Sequence, residues 1–328
     1  MEFSSNCQSV SVVVTTYNRD NLLEEALVSL ANQSIPLHEI VVVDDGDSGS
    51  ARAIVESFGT RFRYFWRPND GVQNARNLGI EKSTGDWIAF LDDDDLWEKD
   101  RHALLKQLMS TNQVDLIFGD FRKFDIDGLI EIGIFEEIIR QSPGFFNGIS
   151  RPLDADFSIV GSFPTPRLFP VCPFWPSALV IRRDLQQRIG FWDVALRGKK
   201  GEDFDFIFRA LKAGQLGLLW KPSVRYRCHA GNISVGNRIV SLGRVAVWRH
   251  LMRKQILTAE EQKAILGAIQ QGLVEAHWTA FSSRKFKTVI DVASQIGWDN
   301  LSANQKVKTG IARVFSLFTR LPNSLFLK

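Results

Sequence analysis

Two short apolar runs, separated by a helix-spaced segment, open the regular pattern of this chain. The first run reads VSVVVT at residues 10–15, and the second occupies Ile40–Val43. The apolar positions between them share the spacing of one helix face: Leu23, Ala26, Leu27 and Leu30. Strand, helix and strand within about 35 residues form a βαβ unit, whose strands are parallel and buried. The pattern therefore predicts an α/β fold.

The alternation of elements continues to residue 91. Helices are predicted near 51–58 and 72–83, and strands near 62–66 and 87–91. In open α/β sheets, ligands bind beyond the carboxyl ends of the strands. The polar clusters that follow three of these strands are residues 15–19, 44–47 and 92–95. We expect all three clusters at one edge of a mainly parallel sheet, where they form a site.

The pattern changes twice farther along the chain. From about 125 to 170 it weakens, and several Pro, Gly and Phe residues predict a long irregular excursion. Regular signals return with ALVIRRDL at 178–185 and with a helix at 204–213. Beyond residue 241 the strand signals stop. The segments with a helical pattern there include 258–277 and 309–318.

The formal charges also divide the chain at about residue 240. The net charge is +3, but residues 241–328 carry 13 Lys and Arg against 5 Asp and Glu, a net +8 that leaves −5 for residues 1–240. We predict two domains, an α/β domain at 1–240 and a basic helical region at 241–328. The basic region either contacts anions such as membrane lipid or presents a solvated helical face. No nucleic-acid partner is expected, because the positive charge lies outside the acidic clusters.

Cysteine usage and the amino-terminal sequence bear on location. Cys7, Cys172 and Cys228 are widely spaced and form no CxxC pair, which fits a reducing compartment. The first residues lack a basic stretch followed by a long apolar run, so no signal peptide is predicted. No run approaches the roughly 18 apolar residues of a spanning helix. We expect a cytoplasmic protein, either free or peripheral on the inner face of a membrane.

Four consecutive carboxylates follow the last predicted strand of the first part of the chain. The segment FLDDDDLW at residues 90–97 contains Asp92, Asp93, Asp94 and Asp95. Crowded carboxylates repel one another unless a cation, hydrogen bonds or water compensates the charge. Mg²⁺ or Mn²⁺ takes one or two carboxylates together with substrate phosphate oxygens. The run therefore predicts a divalent cation site, and a solvated turn or helix cap is the structural alternative.

Five segments in this order resemble the family 2 glycosyltransferases with the GT-A fold. The segments are VSVVVTTYNR, EIVVVDDGDSGS, NDGVQNARNLGIEKSTGDWIAFLDDDD, the stretch from residue 176 to 205 that contains GEDFDF, and CHAGNIS. The resemblance covers about residues 9–236. It implies a GT-A α/β fold and an inverting transfer of sugar from a nucleotide-sugar donor.

The resemblance implies a nucleotide pocket and names its residues. They are Thr15, Tyr17, Arg19, Asp44, Asp45, Gly71, Arg76, Asp92 and Asp93. Chemically, an aspartate can accept the uracil N–H, and Tyr17 can pack on the base. Tyr17 could instead be a half-buried loop residue, the aspartates turn caps, and Arg76 a surface ion-pair partner. A serine commonly follows DDG in the family, whereas Asp47 and then Ser48 follow it here, which leaves open which hydroxyl completes the contact.

The resemblance also implies the catalytic residues. Asp203 in GEDFDF matches the family's base, which takes the proton of the acceptor hydroxyl. The expected metal ligands are Asp94, Asp95 and His229, and Glu202 and Trp175 are expected on the acceptor side. The alternatives are a charged helix start at residues 202–205 and a structural role for His229.

These features predict a metal-dependent inverting glycosyltransferase. The expected cofactor is Mn²⁺ or Mg²⁺, the donor a UDP-sugar, and the acceptor a glycan or a lipid-linked molecule in surface glycan assembly. The chain lacks the Gln-x-x-Arg-Trp signature of polymerising relatives, so transfer of a single sugar is expected. The apolar and basic tail, residues 312–328, either contacts a membrane or packs as the last helix. The rival functions are a non-catalytic sugar-nucleotide binder on the same fold and a sugar nucleotidyltransferase.

Overall fold

The first apolar run forms the strand at the centre of the parallel part of the sheet. β1, Val10–Thr16, is buried along its whole length and pairs in parallel with β2, Glu39–Asp44, on one side and with β4, Trp87–Asp92, on the other. Because these strands are buried, their residues are β-branched or apolar almost throughout. The predicted βαβ unit is confirmed.

The computed structural model describes residues 8–125, 127–148, 151–229 and 240–318. The remaining strands are β3 (Phe62–Trp66), β5 (Leu96–Trp97), β6 (Leu116–Asp125), β7 (Gly128–Gly133), β8 (Arg151–Pro152), β9 (Phe157–Gly161), β10 (Leu179–Arg182) and β11 (Leu216–Arg227). The helices up to β11 are α1 (Asp20–Ala31), α2 (Ala51–Ser57), α3 (Val72–Lys82), α4 (Arg101–Met109), α5 (Ile134–Gln141), α6 (Arg183–Ile189) and α7 (Asp203–Ala213).

The strands form one sheet in the order β3-β2-β1-β4-β10-β6-β11-β9-β8, with β5 paired to β11 and β7 to β6. β3, β2, β1 and β4 run in parallel, as do β6 and β11. β10 lies antiparallel between β4 and β6 and joins these two parallel groups. The predicted α/β class with a GT-A-type sheet is confirmed.

The excursion after β6 has more structure than its sequence pattern indicates. It contains β7, α5, β8 and β9, and aromatic contacts hold α5 to its surroundings. The Phe135 ring lies 5.3 Å from that of Phe146 and 5.4 Å from that of Trp220. Buried Asp120 accepts the Phe135 backbone N–H at 3.0 Å, and burial raises the pKa of its carboxyl to about 6. Aromatic packing does not follow a period of two or 3.6 residues, which is why the pattern did not reveal these elements.

Two glycines set the position of α3. A Cβ at Gly79 would lie 2.2 Å from Val13 Cγ1, so only glycine allows α3 to pack this closely on β1. Gly71, immediately before α3, has φ +93°, a conformation that favours glycine. The helix therefore begins directly beside the carboxyl ends of β1 and β2.

The chain divides into two compact units, of which the first comprises Met1–Gly198 and Asp203–Ala230 and the second Lys199–Glu202 and Gly231–Lys328. The helices of the second unit are α8 (Val240–Lys254), α9 (Ala259–Ser282), α10 (Phe286–Ile296) and α11 (Ala303–Phe318). Thr258 and Glu261 form a capping box at the start of α9. Within the described residues, no helix combines the length and the apolar character needed to cross a bilayer.

Candidate active site

The loops that follow β1, β2 and β4 meet at one edge of the sheet. Thr15 pairs with Asp92 across β1 and β4, and Thr16 pairs with Asp44 across β1 and β2. The carboxyl ends of these parallel strands are therefore level, so the polar residues that follow them share one rim. The expectation of a common edge is confirmed.

Asp92 is the first carboxylate of the run and is bound by a buried cation from α3. Arg76 Nη2 lies 2.7 Å from Asp92 Oδ1, and the Arg76 side chain is only 5% exposed. The Arg76 guanidinium also lies over the Trp192 ring, 4.7 Å from its centroid. Asn77 fixes Trp192 by exchanging two hydrogen bonds with its backbone, at 2.9 and 3.0 Å. Arg76 is thus held between an aromatic face and Asp92.

Asp93 and Asp94 share a second cation. Arg19 Nη2 lies 2.6 Å from Asp93 Oδ1, and Arg19 Nη1 lies 2.7 Å from Asp94 Oδ2. The Thr16 hydroxyl donates to Asp93 Oδ2 at 2.7 Å. Asp93 is fully buried, and this burial, opposed by Arg19, raises the pKa of its carboxyl to about 7. The Arg19 guanidinium therefore compensates part of the crowding within the run.

Asp95 is held from the protein side. The Arg227 backbone N–H donates to Asp95 Oδ1 at 3.0 Å, and the Ser177 hydroxyl also bonds to this carboxylate. Burial and the neighbouring charges of Asp94 and Asp92 raise the pKa of Asp95 well above its usual range. Ser177 Oγ additionally accepts the Asp92 backbone N–H at 3.2 Å. Ser177 and Arg227 thus fix the turn that carries the run.

Asp94 and His229 are the predicted metal ligands that lie together. His229 Nε2 is 3.2 Å from Asp94 Oδ2, and their side chains are 26% and 11% exposed. Within the described part of the chain, no group of three or more His, Cys, Asp and Glu side chains is arranged to hold a metal ion. Mg²⁺ and Mn²⁺ often bind through one or two protein ligands and complete their shell with substrate phosphates. This carboxylate and imidazole pair fits that mode of binding, and the role of Asp95 as a third ligand stays a prediction.

The acidic pair after β2 has its carboxylates occupied by protein donors. Asp44 accepts the Gly46 backbone N–H at 2.9 Å and the Tyr64 hydroxyl at 2.8 Å. Burial and this bond to Asp44 raise the pKa of the Tyr64 hydroxyl above its usual range.

Asp45 accepts the backbone N–H groups of Asp70 at 3.0 Å and Gly71 at 2.9 Å, one on each carboxylate oxygen. Burial raises the pKa of Asp45, and these two hydrogen bonds oppose the shift. Gly71, predicted to approach the nucleotide, thus donates its backbone N–H to Asp45. Thr15 is buried, whereas Tyr17 is 42% exposed at the rim.

Asp203 begins α7 and lies near the Arg76 and Asp92 pair. Burial raises the pKa of Asp203, the positive charge of Arg76 opposes this shift, and the negative charge of Asp92 adds to it. A carboxyl with a raised pKa is a stronger base once it is ionised, which suits proton abstraction near neutral pH. Glu202 belongs to the second unit, and its acceptor-side role stays a prediction.

Trp175 is partly exposed and belongs to an aromatic group on the same unit. Its ring centroid lies 4.7 Å from that of Tyr226 and 5.7 Å from that of Phe121. Sequence reasoning named Trp175 but missed Tyr226. It also missed Thr16, Ser177 and Arg227, although the quoted motifs contain or adjoin all three, because their partners are far away in sequence.

Residues 11–147 match the sequence model of the family described as Glycosyl transferase family 2. This region is similar to the family 2 glycosyl transferases. The matched region contains the loops after β1, β2 and β4, including the whole aspartate run. The match supports the family predicted from the motifs over residues 11–147.

Several glycosyltransferases are similar to this chain over part of their length. An uncharacterized glycosyltransferase of Rickettsia felis is 36% identical over 141 residues, which are 42% of this chain and 22% of that protein. Glycosyltransferase GlyA of Streptococcus pneumoniae is 32% identical over 119 residues, 35% of this chain and 17% of that protein. The chain thus spans about a fifth of the length of these two relatives. A Rickettsia typhi glycosyltransferase is 26% identical over 80% of this chain and 77% of its own length.

The fold of this chain is similar to that of a solved structure. The crystal structure of S. aureus TarS residues 1–349 in complex with UDP-GlcNAc matches with a TM-score of 0.59 at 16% identity, covering 93% of this chain and 87% of that one. At this level of identity the similarity concerns the fold.

Proposed function

We propose that the chain is a metal-dependent inverting glycosyltransferase that moves one sugar from a UDP-sugar to a hydroxyl group of a glycan or lipid-linked acceptor. The observation that supports this proposal most directly is the aspartate run at the carboxyl end of β4. Arg76 binds Asp92 of this run, and Arg19 binds Asp93 and Asp94. Similarity to family 2 supports sugar transfer, and the UDP-GlcNAc complex of the similar TarS fold supports a nucleotide-sugar donor.

Asp203 is the proposed catalytic base. In an inverting transfer one carboxylate removes the acceptor hydroxyl proton while the oxygen attacks the anomeric carbon from the face opposite the departing nucleotide. The charge of Arg76 favours the ionised form of Asp203, whereas burial increases its affinity for a proton. These opposing influences suit a group that must be ionised before the reaction and hold a proton after it.

Asp94 and His229 are the proposed ligands of the divalent cation, with Asp95 as a predicted third. When bound, Mn²⁺ or Mg²⁺ would neutralise charge that develops on the leaving diphosphate. Arg19 donates to the same Asp94 oxygen and so orients this carboxylate, while Asp92 and Arg76 support the donor side.

Trp175 and Tyr226 are proposed to face the acceptor. Their rings meet at 65° and both residues are partly exposed, so they offer an apolar surface for the face of a sugar ring. Transfer of a single sugar is proposed because the segment after α7, GQLGLLWKPSVRYRCH, lacks the signature of polymerising relatives.

The test begins with the melting temperature of the protein against UDP, GDP, CDP and dTDP, with and without Mn²⁺. A ligand that prefers the folded state raises this temperature, so UDP with Mn²⁺ is expected to give the largest rise. Asp94→Asn should remove the Mn²⁺-dependent part of the rise, whereas Asp100→Asn, an exposed aspartate nearby without a side-chain cap bond, should retain it. No rise with any nucleotide would favour a scaffold role.

Catalysis is tested separately from binding. Asp203→Asn should lower donor turnover by about 10²–10⁴-fold, the usual contribution of a general base. The same variant should keep the UDP-dependent rise in melting temperature. Turnover at the wild-type rate would remove Asp203 from the mechanism.

The proposal includes a peripheral position on the inner face of a membrane. α11 packs inward through buried Gln305, Thr309 and Ala312. Its outer face is defined by exposed apolar residues: Val307 (62%), Ile311 (38%), Val314 (52%) and Phe315 (51%). Lys306, Lys308 and Arg313 are the cations of this helix, which has no acidic residue. An apolar stripe with basic flanks is typical of a helix lying in an anionic lipid interface. Residues 319–328, the rest of the predicted tail, lie outside the described part of the chain.

Binding to lipid can be measured by co-sedimentation with vesicles that contain an anionic phospholipid. The double variant Val307→Glu and Val314→Glu should abolish binding, because it places charge in the outer face of α11. Leu266→Glu, at a 54% exposed position of α9, is the matched control and should bind like wild type. Equal binding by all three proteins would rule out the outer face of α11 as the contact.

A further inference from the structure

One buried arginine of the first unit has no carboxylate partner. Arg101, the first residue of α4, is 0% exposed, and burial lowers the pKa of its guanidinium to about 9. Among the described residues, no Asp or Glu forms an ion pair with it, whereas Arg19, Arg76 and Arg227 each pair with a carboxylate. A buried charge without a counter-ion lowers stability, and apolar replacements of buried charged groups are often neutral or stabilising. Such a residue is expected to serve a purpose other than stability.

The Arg101 guanidinium joins two segments that are distant from each other in the chain. Its Nη1 donates to the Ser223 hydroxyl at 2.6 Å, and its Nη2 donates to the Ala178 backbone carbonyl at 2.9 Å. The Trp97 ring packs against the guanidinium, with its centroid 4.7 Å from Arg101 Cζ. Gly119 of β6 provides the space, because a Cβ there would lie 2.4 Å from Arg101 Nη1 and 2.8 Å from Ser223 Oγ. The surrounding chain is therefore shaped to hold a guanidinium at this position.

The first of these segments carries a hydroxyl that holds Asp95. Ala178 directly follows Ser177 in the chain. The Ser177 hydroxyl bonds to the Asp95 carboxylate, and its oxygen accepts the Asp92 backbone N–H at 3.2 Å. Because Arg101 binds the Ala178 carbonyl, it fixes the backbone one residue away from this hydroxyl.

The second segment is the irregular part of β11. The register of β11 against β6 shifts before Val224, and Ser223 lies in the shifted part. Beyond the shift, the Arg227 backbone N–H donates to Asp95 Oδ1 at 3.0 Å. The hydrogen bond from Arg101 to Ser223 therefore fixes the place from which the end of β11 reaches the aspartate run.

We propose that Arg101 is a positioning residue for the proposed divalent cation site. It fixes the two segments whose groups hold Asp95, and the second segment also leads to His229, the proposed ligand beside Asp94. Groups that stand behind metal ligands orient them, and their loss typically lowers metal affinity by about 10–100-fold. Arg101 acts through other residues and is neither a ligand nor a catalytic group. This inference rests on the proposed function, because the cation site is part of it.

The experiment is isothermal titration of Mn²⁺ into the full chain in the presence of saturating UDP. Arg101→Met removes the charge and the N–H donors but keeps a long unbranched side chain. Its Mn²⁺ affinity should fall by about 10–100-fold relative to wild type. Arg101→Lys keeps a cation with N–H donors, so it should recover part of the affinity that Arg101→Met loses.

Arg183→Met is the matched control. Arg183, the first residue of α6, also donates to a backbone carbonyl and a serine hydroxyl, those of Gly85 at 2.7 Å and Ser83 at 3.0 Å. These partners precede β4, whereas the aspartate run follows the carboxyl end of that strand. Arg183→Met should therefore keep the wild-type Mn²⁺ affinity. Melting of each variant without ligand shows that it is folded at the temperature of the titration.

Ser223→Ala keeps the test decisive if Arg101→Met does not fold. It removes only the hydroxyl that accepts from Arg101 Nη1. The Mn²⁺ affinity of Ser223→Ala should fall by on the order of tenfold, the lower end of the range expected for a group behind a metal ligand.

The results that would contradict this inference differ from those that would contradict the proposed function. Wild-type Mn²⁺ affinity in Arg101→Met, or in Ser223→Ala where Arg101→Met is unfolded, would overturn the role of Arg101 and leave the proposed function intact. An equal loss of affinity in Arg101→Met and Arg183→Met would do the same, because it would reflect general destabilisation. Absence of Mn²⁺ binding by wild type with UDP would overturn the proposed cation site and this inference together.

Discussion

The two acidic loops at the edge of the sheet compensate their charge in different ways. After β4, Asp92, Asp93 and Asp94 contact the guanidinium groups of Arg76 and Arg19. After β2, Asp44 and Asp45 accept hydrogen bonds from three backbone N–H groups and one tyrosine hydroxyl, and the Arg67 guanidinium lies farther away, 3.7 Å from Asp45 Oδ1. The first arrangement holds charge beside a ligand site, whereas the second uses charge to shape a loop. A run of aspartates in a sequence does not by itself tell these cases apart.

The largest expected effect on stability is at Arg76. Arg76→Ala should lower the free energy of unfolding by about 3 kcal/mol, because it leaves Asp92 without its buried partner and removes the packing on Trp192. Urea denaturation gives the value. Arg52→Ala, which breaks an exposed pair with Glu56, should change it by less than about 0.5 kcal/mol. Equal losses in the two variants would contradict a special role for the Arg76 and Asp92 pair.

The next effect concerns pH and the Asp93 carboxyl. Its folded-state pKa of about 7 exceeds the usual value of 3.8, so the folded protein binds this proton more tightly between these pH values. Stability from this group is therefore complete below pH 3.8 and is lost as pH rises through about 7. Between about pH 5.5 and about pH 7.5, wild type should lose about 2 kcal/mol more than Asp93→Asn in urea denaturation. Parallel losses in the two proteins would show that Asp93 is ionised throughout.

A smaller effect is expected at Asp45, where the charge organises the start of α3. Asp45→Asn should cost about 1–2 kcal/mol, because an amide offers one acceptor to the two N–H groups of Asp70 and Gly71. The variant Asp47→Asn has the same chemistry at an exposed position and should cost less than about 0.5 kcal/mol. Chemical denaturation measures both costs. A larger loss for Asp47→Asn than for Asp45→Asn would contradict the role of Asp45 at the start of α3.

The smallest effect is expected from the tyrosine that contacts Asp44. Tyr64→Phe removes one hydroxyl and should lower the unfolding free energy by about 1 kcal/mol, as for a typical hydrogen bond. Asp44→Asn combined with Tyr64→Phe should cost less than the two single changes added together. Additive losses in this double-mutant cycle would mean that the 2.8 Å contact contributes nothing specific.

The sequence predicted the parallel part of the fold well and the excursion poorly. β1 through β4 carry apolar runs at strand length, with helical spacing between them, and each was predicted within a few residues. α5 and β9 are held by aromatic contacts with residues far along the chain, which no local period reveals. The predicted site residues were placed on the correct rim because position after a parallel strand is a local property.

What the sequence alone determined is the order of elements, the family and the chemical types at the rim. The order of elements follows from local period and strand length, whereas the family and the chemical types at the rim follow from the five segments that resemble the family. The partner of each carboxylate was decided by tertiary structure, because Arg76, Arg19, Ser177 and Arg227 reach the aspartate run from elements distant in the chain. The same holds for Asp44, Asp45 and Asp47, which are neighbours in sequence but differ in burial and in their hydrogen-bond partners. The donors that bind each carboxylate are close to it only in three dimensions. The sequence could therefore name the candidate groups but not the partners that each of them has in the folded protein.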